Sequence, residues 1–319
     1  MMRTAICVLT ALVLAIQVEA TGNRNVRIVS IGFSARPVAQ FLDVVKREAA
    51  KGADLIVLPE TCTGNEKPEA VDGPAIQAMQ AVAREHKTYV VCPIDRMKGT
   101  TRLNTAVLID RAGSVAGMYD KVYPYFSEYD LKPPVTPGTD VPVFDTDFGK
   151  LGIAICFDVN FPDVWQQLAD KGAEIVVWPS AYSAGSSLQA HALNHHFYIV
   201  TSTLLADCIV YDITGELLLS EKRDDINVSR ITLDLDRGIY HQNFNMDGRD
   251  RLLKEHTGEV AQEKWLDKEQ WFVLRSTKPG ASARALAKEY GMTELRDYKS
   301  ASRKKIDAMR QENVARSAK

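Results

Sequence analysis

The chain has 319 residues, of which 45% are hydrophobic, so it can bury a large core and is long enough for one large domain or two small ones. Its 39 basic and 41 acidic side chains nearly cancel. This balance excludes the strong positive field that attracts nucleic acids or anionic membrane surfaces. We therefore expect a globular protein that does not bind nucleic acid.

The first twenty residues have the pattern of a secretory signal peptide. Arg3 supplies a positive start, residues 5–16 are nearly all apolar, and Ala20 is a small residue at the expected cleavage site. The apolar stretch is short for crossing a bilayer, and an uncleaved N-terminal anchor is the alternative. We expect export to the periplasm or the extracellular space, without stable membrane insertion once the signal is removed.

The cysteines leave the redox state open. Removal of Cys7 with the signal would leave Cys62, Cys92, Cys156 and Cys208, an even number in an oxidising compartment. Their spacing does not choose among the possible disulfide pairings. A bridged or merely buried Cys156 is therefore an alternative that its neighbours must decide.

An internal repeat organises the middle of the chain. A predicted helix at 38–50 is followed by a Lys-Gly-Ala-Asp turn and the apolar strand 55–58, and the same order recurs as helix 164–170, Lys-Gly-Ala-Glu and strand 175–180. The glycine of each turn can end its helix in a left-handed conformation. The apolar runs, rich in β-branched residues, are typical of strands buried on both faces.

Equivalent elements flank these segments. They are strands 26–33 and 151–157, helices 75–86 and 187–196, strands 89–91 and 198–200, and hairpin turns at 110–113 and 212–215. Each half is thus predicted to be a β-α-β-α-β-β-β unit. Two such units can cover their sheets by packing them together, which predicts an α/β protein with a four-layer α-β-β-α sandwich built from two similar halves.

The prediction divides the chain into a signal peptide at 1–20, a repeat domain at 21–239 and a C-terminal extension at 240–319. The extension is rich in both signs of charge, with a predicted strand at 271–275 and a helical tail at 283–312. Such a charged surface is usually solvated, but the aromatic residues of the extension could pack across a subunit interface.

Three reactive side chains follow predicted strands. Glu60 comes after strand 55–58, Lys121 after the hairpin strand 115–119, and Cys156 at the end of strand 151–155. Open α/β folds build their sites at this edge of the sheet. Taken singly, each has a structural explanation: a turn acid, a surface charge and a small core residue.

Together the three supply the groups for nucleophilic catalysis. A thiol at a strand-to-helix turn is exposed, and helix amides would favour the thiolate. Glu60 could take the proton of Cys156 and later activate water. Lys121 and the backbone N–H of Phe157 could hold the oxyanion of a tetrahedral intermediate.

Three short segments surround these reactive residues: Leu-Pro-Glu at 58–60, Tyr-Asp-Lys-Val-Tyr at 119–123 and Gly-Ile-Ala-Ile-Cys-Phe-Asp at 152–158. In these segments, and over roughly residues 26–237, the sequence resembles the nitrilase (carbon-nitrogen hydrolase) superfamily. The resemblance implies the α-β-β-α sandwich, a catalytic set of Glu60, Lys121 and Cys156, no metal or cofactor, and homo-oligomers. A second glutamate that the family uses after the lysine falls on Glu128.

Two departures from the family pattern limit the inference. Nitrile-cleaving members commonly have Trp-Glu after the nucleophile, whereas Phe157-Asp158 here is more similar to the amidase and carbamoyl-amide branches. A helix that often carries an Arg and a Glu-Asn pair contains His191 and His195 instead. These share a helix face and could ligate a metal, but no acid completes the pattern, so we favour packing or pocket roles.

The sequence therefore predicts a hydrolase that cleaves a non-peptide amide or carbamoyl-type bond through a thioester on Cys156, with a small-molecule amide and water as partners. Tyr125, Trp178, Ser180 and Ala181 are the predicted substrate-binding residues. The alternatives are nitrile hydrolysis, acyl transfer to an amine, and a non-catalytic secreted binding protein in which Cys156 is tied into a disulfide.

Overall fold

The computed structural model describes residues 24–317 and contains two six-stranded sheets. The elements of the first half are β1 (Asn25–Phe33), α1 (Leu42–Ala49), β2 (Leu55–Val57), α2 (Pro74–His86), β3 (Tyr89–Lys98), β4 (Thr101–Ile109), β5 (Val115–Asp120) and the single turn α3 (Phe126–Tyr129). A 3₁₀ turn, Val38–Gln40, precedes α1, so the helix expected from residue 38 begins four residues later.

The second half repeats this order. Its elements are β6 (Val143–Asp145), β7 (Lys150–Ile153), α4 (Pro162–Asp170), β8 (Ile175–Ser180), α5 (Ser186–His195), β9 (Tyr198–Thr203), β10 (Asp207–Tyr211), β11 (Leu217–Lys222) and β12 (Ile226–Asp234). The strand expected to reach residue 157 ends at Ile153, because the chain leaves the sheet before a 3₁₀ turn at Cys156–Asn160.

Both sheets have parallel strands at their centre. The first has the order β12-β1-β2-β3-β4-β5 and the second β11-β10-β9-β8-β7-β6. Strands β1, β2 and β3 run parallel, as do β7, β8 and β9, and hairpins continue each sheet outward. Since β12 pairs along the whole of β1, the end of the second half closes the edge of the first sheet.

The two sheets pack face to face. One core cluster contains Val26 and Leu55 from the first sheet together with Leu151 and Ile175 from the second. The hydroxyl of Ser30 donates to the carbonyl of Thr201 at 2.6 Å and ties the sheets together. Helices α1 and α2 cover the outer face of the first sheet through a separate apolar cluster. The predicted four-layer α-β-β-α sandwich is confirmed.

The C-terminal region folds into a small unit. It contains β13 (Gly238–His241), α6 (Gln242–Glu255), β14 (Val260–Leu266), β15 (Trp271–Ser276), α7 (Ala283–Glu289) and α8 (Leu295–Ser317). The three strands form a sheet of their own, in the order β13-β15-β14, around an apolar cluster that includes Phe272. The expected helical tail is two helices, because Gly291 between them has a left-handed φ of +73°. Packing of this region at a subunit interface stays a prediction.

Ion pairs fix this region to the repeat domain. The carboxylate of Glu174, next to β8, binds Arg24 at 2.7 Å and Arg284 of α7 at 2.6 Å. Among the helices of residues 24–317, none has the length and apolar character needed to cross a membrane. The predicted signal peptide lies outside the described residues.

Candidate active site

The ends of three strands bring the predicted reactive side chains into one cavity. Glu60 follows β2, Lys121 follows β5 and Cys156 follows β7, and all three line a cavity of about 160 Å³. Glu128, from the turn α3, lines the same cavity. Glu60, the segment that carries Lys121 and Glu128, and Cys156 lie far apart in the chain, and the packing of the two sheets brings them together.

Lys121 is the centre of this group. Its side chain is 1% exposed, and its ammonium donates to Oε1 of Glu60 at 2.8 Å and to Oε2 of Glu128 at 2.7 Å. Burial by itself lowers the pKa of Lys121, but the negative charges around it, that of Glu60 above all, outweigh burial and raise that pKa. The lysine is therefore a permanent cation with two of its three N–H donors in use.

Asn104 of β4 connects the two glutamates. Its side-chain amide donates to Oε1 of Glu60 at 2.8 Å and to Oε1 of Glu128 at 2.9 Å. Its Oδ1 is buried and has no hydrogen-bond partner among the described residues. We did not identify Asn104 from the sequence, although an asparagine within the buried run of β4 was a usable signal.

The two glutamates differ in their free atoms. Both oxygens of Glu128 are occupied, Oε1 by Asn104 and Oε2 by Lys121 and by the backbone N–H of Tyr125 at 2.6 Å. In Glu60, Oε1 accepts both of its hydrogen bonds, and within residues 24–317 its Oε2 has no donor. Glu60 is thus the carboxylate with an oxygen available for proton transfer.

Cys156 occupies a strained turn. Its φ of +46° lies in the left-handed region, which costs a non-glycine residue about 1–3 kcal/mol. The indole of Trp178 donates to the Cys156 carbonyl at 3.1 Å and holds the turn from behind. The thiol is 6% exposed and contacts the Ser180 hydroxyl and the Ala181 backbone N–H.

Burial raises the pKa of Cys156, and the charge of Glu60 adds to burial; Lys121 and Ser180 act in the opposite direction, and the pKa is about 12. This is opposite to the thiolate expected from the sequence. The short 3₁₀ turn does not supply the electrostatic field of a full helix terminus. Burial beside Glu60 thus favours the neutral form of the Cys156 thiol.

Asp158 connects the turn that contains Cys156 to the chain segment that contains Lys121. Its carboxylate accepts from the Tyr119 hydroxyl at 2.6 Å, from the Ile155 backbone N–H at 2.8 Å and from the Tyr123 backbone N–H at 2.9 Å. Tyr119 and Tyr123 flank Lys121 in the chain. This buried carboxylate therefore holds the Cys156 turn and the Lys121 segment in register.

A family model described as carbon-nitrogen hydrolase matches residues 35–239. The chain belongs to the carbon-nitrogen hydrolase family of the nitrilase superfamily. It is 31% identical to a hydrolase from Schizosaccharomyces pombe, over 43% of this chain and 48% of that protein, and 28% identical to a nitrilase from Pyrococcus abyssi, over 65% and 88%. The match to the first of these spans only about half of that relative's length.

Solved structures of this superfamily have the same fold. An amidase from Nesterenkonia sp. matches with a TM-score of 0.57 and 23% identity, over 67% of this chain and 91% of that one. Nit3 of Saccharomyces cerevisiae matches with a TM-score of 0.58 and 18% identity, over 66% and 90%. At these identities the likeness concerns the fold.

The remaining predicted site residues separate into two groups. Tyr125 and Ala181 line the cavity beside Cys156. Trp178 and Ser180 are fully buried and do not line the cavity, although the Ser180 hydroxyl contacts the Cys156 thiol. Their contact with substrate stays a prediction. The side chain of Phe157 packs against Tyr125 with ring centroids 5.1 Å apart, also outside the cavity lining.

A larger groove, of about 920 Å³, lies between α4, α5 and α8. It contains His191 and His195 but none of the reactive groups around Cys156. His191 stacks on Trp165 at 4.2 Å and shares a hydrogen bond with the Val159 carbonyl at 2.9 Å. These histidines thus have packing roles, and residues 24–317 contain no cluster of three potential metal ligands. We place the candidate active site in the smaller cavity because it contains Cys156, Lys121 and the two glutamates.

Proposed function

We propose that this protein hydrolyses the carbon-nitrogen bond of a short, uncharged carboxamide through a thioester on Cys156. The observation that carries the proposal is the buried Lys121 ammonium, held between Glu60 and Glu128 in the cavity that contains the Cys156 thiol. Burying an ammonium group costs free energy, which pairing with carboxylates and hydrogen bonds must offset. Here one N–H donor remains for an oxygen in the cavity.

The reaction starts from the neutral thiol. As the Cys156 sulfur attacks the amide carbonyl carbon, its proton passes to Oε2 of Glu60, since burial and the charge of Glu60 raise the pKa of the thiol and favour its neutral form. The carbonyl oxygen becomes negative and accepts the third N–H of Lys121. This charge-assisted hydrogen bond forms in a buried site, where it stabilises the intermediate more than it would in water.

Collapse of the intermediate requires a proton on the leaving nitrogen. Glu60 has just received one, so it donates this proton and the amine or ammonia departs, leaving the acyl group on sulfur. Water then enters, Glu60 takes its proton, and attack on the thioester releases the carboxylic acid and restores the thiol. Glu128 and Asn104 keep Lys121 and Glu60 in position throughout, because their hydrogen bonds do not involve Oε2 of Glu60.

The cavity favours a small substrate. Its volume of about 160 Å³ is close to that of a ~150 Å³ protein cavity that holds a benzene molecule. Leu131, Val135 and Leu204 provide apolar surface in its wall. A short alkyl chain carrying a carboxamide suits these dimensions.

The cavity also favours an uncharged substrate. Lys121 is paired with two glutamates, and Asp95, the other charged side chain in the wall, is paired with Arg102 at 3.0 Å between Nε and Oδ1. Within residues 24–317 the wall thus offers no unpaired cation to a substrate carboxylate. A carboxylate would enter next to three acidic side chains and lose its hydration.

Relatives support the amide class. One variant of the amidase from Nesterenkonia sp. has been solved in complex with butyramide, and another carries the acetamide moiety of fluoroacetamide on its active-site cysteine. An omega-amidase from Xenopus laevis is 25% identical over 51% of this chain and 67% of that protein. We take Cys156 to be the corresponding cysteine here.

A matched panel of four-carbon compounds tests the proposal. Purified protein is incubated with butyramide, succinamate and butyronitrile, and with butyramide plus hydroxylamine, using Cys156→Ala as the blank. We expect ammonia from butyramide, at least tenfold less from succinamate, none from the nitrile, and acid rather than hydroxamate as the main product. Turnover of succinamate above butyramide would contradict the uncharged-substrate proposal, and ammonia release by Cys156→Ala would contradict the thioester.

We also propose that the protein acts outside the cytoplasm. The support is the signal-like pattern of residues 1–20. Intact mass of the protein from the cell envelope and medium tests it, and a mature chain starting near residue 21 is the expected result. A chain that keeps residues 1–20 and stays in the cytoplasm would contradict export.

A further inference from the structure

A second pair of reactive groups lies outside the cavity. The sulfur atoms of Cys62 and Cys92 are 3.9 Å apart, and both side chains are fully buried in the apolar cluster beneath α2. Both are free thiols, as are Cys156 and Cys208. Among these four, Cys62 and Cys92 are the pair whose sulfur atoms are in contact.

The backbone already holds the two cysteines side by side. Leu58 donates its N–H to the carbonyl of Val91 at 3.1 Å, and Cys62 donates its N–H to the carbonyl of Pro93 at 3.0 Å. The segment from β2 to Cys62 therefore runs along β3, which contains Cys92. A disulfide needs its sulfurs about 2.0 Å apart, so closure requires roughly 2 Å of approach, within the reach of side-chain rotation.

We infer that Cys62 and Cys92 are the site of an internal disulfide that forms when the chain folds in an oxidising environment. The bond would link the segment that carries Glu60, two residues before Cys62, to the centre of the first sheet. It goes beyond the hydrolase proposal and does not depend on it, since neither thiol lines the cavity.

The oxidant that balances the step is a low-molecular-weight disulfide such as glutathione disulfide. The thiolate of one cysteine attacks a sulfur of the oxidant, which releases one glutathione thiolate and leaves a mixed disulfide. The thiolate of the other cysteine then attacks the protein-side sulfur and releases the second glutathione. The two protons lost by Cys62 and Cys92 end on the two glutathione thiols, and the cysteines are oxidised as the oxidant is reduced.

The burial of the pair determines when this exchange takes place. In the folded core the pKa of Cys92 is raised, by its hydrogen bond with Cys62 and by burial, and an oxidant has no path to either sulfur. Exchange is therefore fast during folding and slow afterwards. Since the closed loop spans 30 residues, the bond restricts the unfolded chain and raises the melting temperature.

Refolding of the full chain tests the inference. Denatured, reduced protein is refolded with reduced and oxidised glutathione, free thiols are blocked with N-ethylmaleimide in denaturant, and the cysteine peptides are mapped. We expect a cross-linked Cys62–Cys92 peptide, with Cys156 and Cys208 blocked. We also expect a melting temperature on the order of 5 °C higher than that of the reduced protein.

Two variants separate this bond from other effects of oxidation. Cys208→Ala keeps the pair and should retain the full rise in melting temperature, whereas Cys92→Ala should lose it. If Cys92→Ala does not fold, the peptide map of the unmodified chain still decides. Folded protein in which N-ethylmaleimide blocks both Cys62 and Cys92 after oxidising refolding would overturn the inference, and so would a different cysteine pairing.

Discussion

The two halves share a backbone plan but contribute different chemistry. By strand register, Leu55 and Ile175 are equivalent, so Glu60 corresponds to Ser180 at the ends of the matching strands. The same register makes Cys156 equivalent to Phe33. Phe33 still belongs to β1 and is fully buried, whereas at Cys156 the chain has left its sheet with a positive φ.

The hairpins of the two halves also differ in the residue that stands at equivalent positions. Lys121 donates its backbone N–H to the carbonyl of Asn104 at 2.9 Å, and Arg223 donates its backbone N–H to the carbonyl of Ala206 at 3.0 Å. Arg223 is exposed, while Lys121 is buried. The first half thus provides the charged groups and the second half the thiol, so the duplicated fold builds one site rather than two.

The largest expected effect is at Lys121. Lys121→Met keeps the length of the side chain but removes the cation that receives the oxyanion, and we expect kcat/KM for butyramide to fall by about a thousandfold. Arg223→Met changes the equivalent residue of the second half and should leave kcat/KM within about twofold, since exposed charges contribute little. Circular dichroism would check folding. Comparable losses in the two variants would refute the asymmetry between the halves.

The next effects are those of the two glutamates, whose substitution should reduce turnover to different extents. Glu60→Gln removes the free oxygen that accepts the thiol proton, so we expect kcat to fall by a factor on the order of 10³. Glu128→Gln loses a carboxylate whose oxygens only hold other groups, and a loss of about ten- to a hundredfold is expected. Rapid-quench measurement of the acylation rate compares them directly. An acylation rate lower in Glu128→Gln than in Glu60→Gln would reverse our assignment of the base.

Asn104→Ala gives the first half the residue that the second half carries at this position. Two hydrogen bonds to carboxylates disappear, and each such bond contributes about 1.5–3 kcal/mol. Part of this loss should appear in turnover, so we expect kcat to fall about tenfold with little change in KM, because Asn104 acts through the glutamates. Steady-state kinetics on butyramide checks this. An unchanged kcat accompanied by a raised KM would instead indicate direct substrate binding.

The smallest expected effect is on stability in acid. It arises because the residues at the C-terminal ends of α2 and α5 differ between the two halves. Lys87 ends α2 on the surface, whereas the equivalent His196 is buried and contacts Lys299 of α8. Burial, with the nearby positive charges of His191, Lys299 and Arg303, lowers the pKa of His195 to about 4, and burial with Lys299 lowers that of His196 to about 3.

Because these folded-state pKa values lie below the unfolded value of 6.5, the unfolded chain binds more protons as pH falls below 6.5. The contribution of these two histidines to the free energy of unfolding is complete above pH 6.5 and is lost as the pH falls toward their folded-state pKa values. Between pH 7 and pH 5 we expect the contribution of His195 to stability to fall by on the order of 1–3 kcal/mol, measured as the difference in urea unfolding between the unmodified protein and His195→Gln. His195→Gln should flatten this slope. If the free energy of unfolding changes with pH equally in His195→Gln and in the unmodified protein, His195 does not contribute to acid stability.

Much of the fold could be predicted because its signals are local. Apolar runs such as that of β8, glycine-ended helices and hairpin turns recur in matching order, and the duplication made each half evidence for the other. The C-terminal region lacked these signals. Its strand β14 is interrupted by three polar residues at its centre, and its two final helices form one charged run. The strands β13 and β14 and the break at Gly291 were therefore not predicted.

The meeting of Glu60, Lys121 and Cys156 in one cavity could be predicted, because each of these reactive side chains follows the end of a strand. The details of the site could not be predicted, because they depend on three-dimensional neighbours. The amide of Asn104 matters through two carboxylates that only the folded chain brings to it. The raised pKa of Cys156 follows from burial beside Glu60, which a strand-to-helix pattern does not reveal.

The most direct test of the account is to trap the acyl intermediate. Protein mixed with butyramide is quenched in acid within milliseconds, digested and mapped by mass spectrometry. We expect a butyryl group on the peptide containing Cys156, formed more slowly in Lys121→Met and absent in Cys156→Ala. Steady release of ammonia with Cys156 unmodified at every time point, or with the butyryl group on another residue, would contradict the central claim.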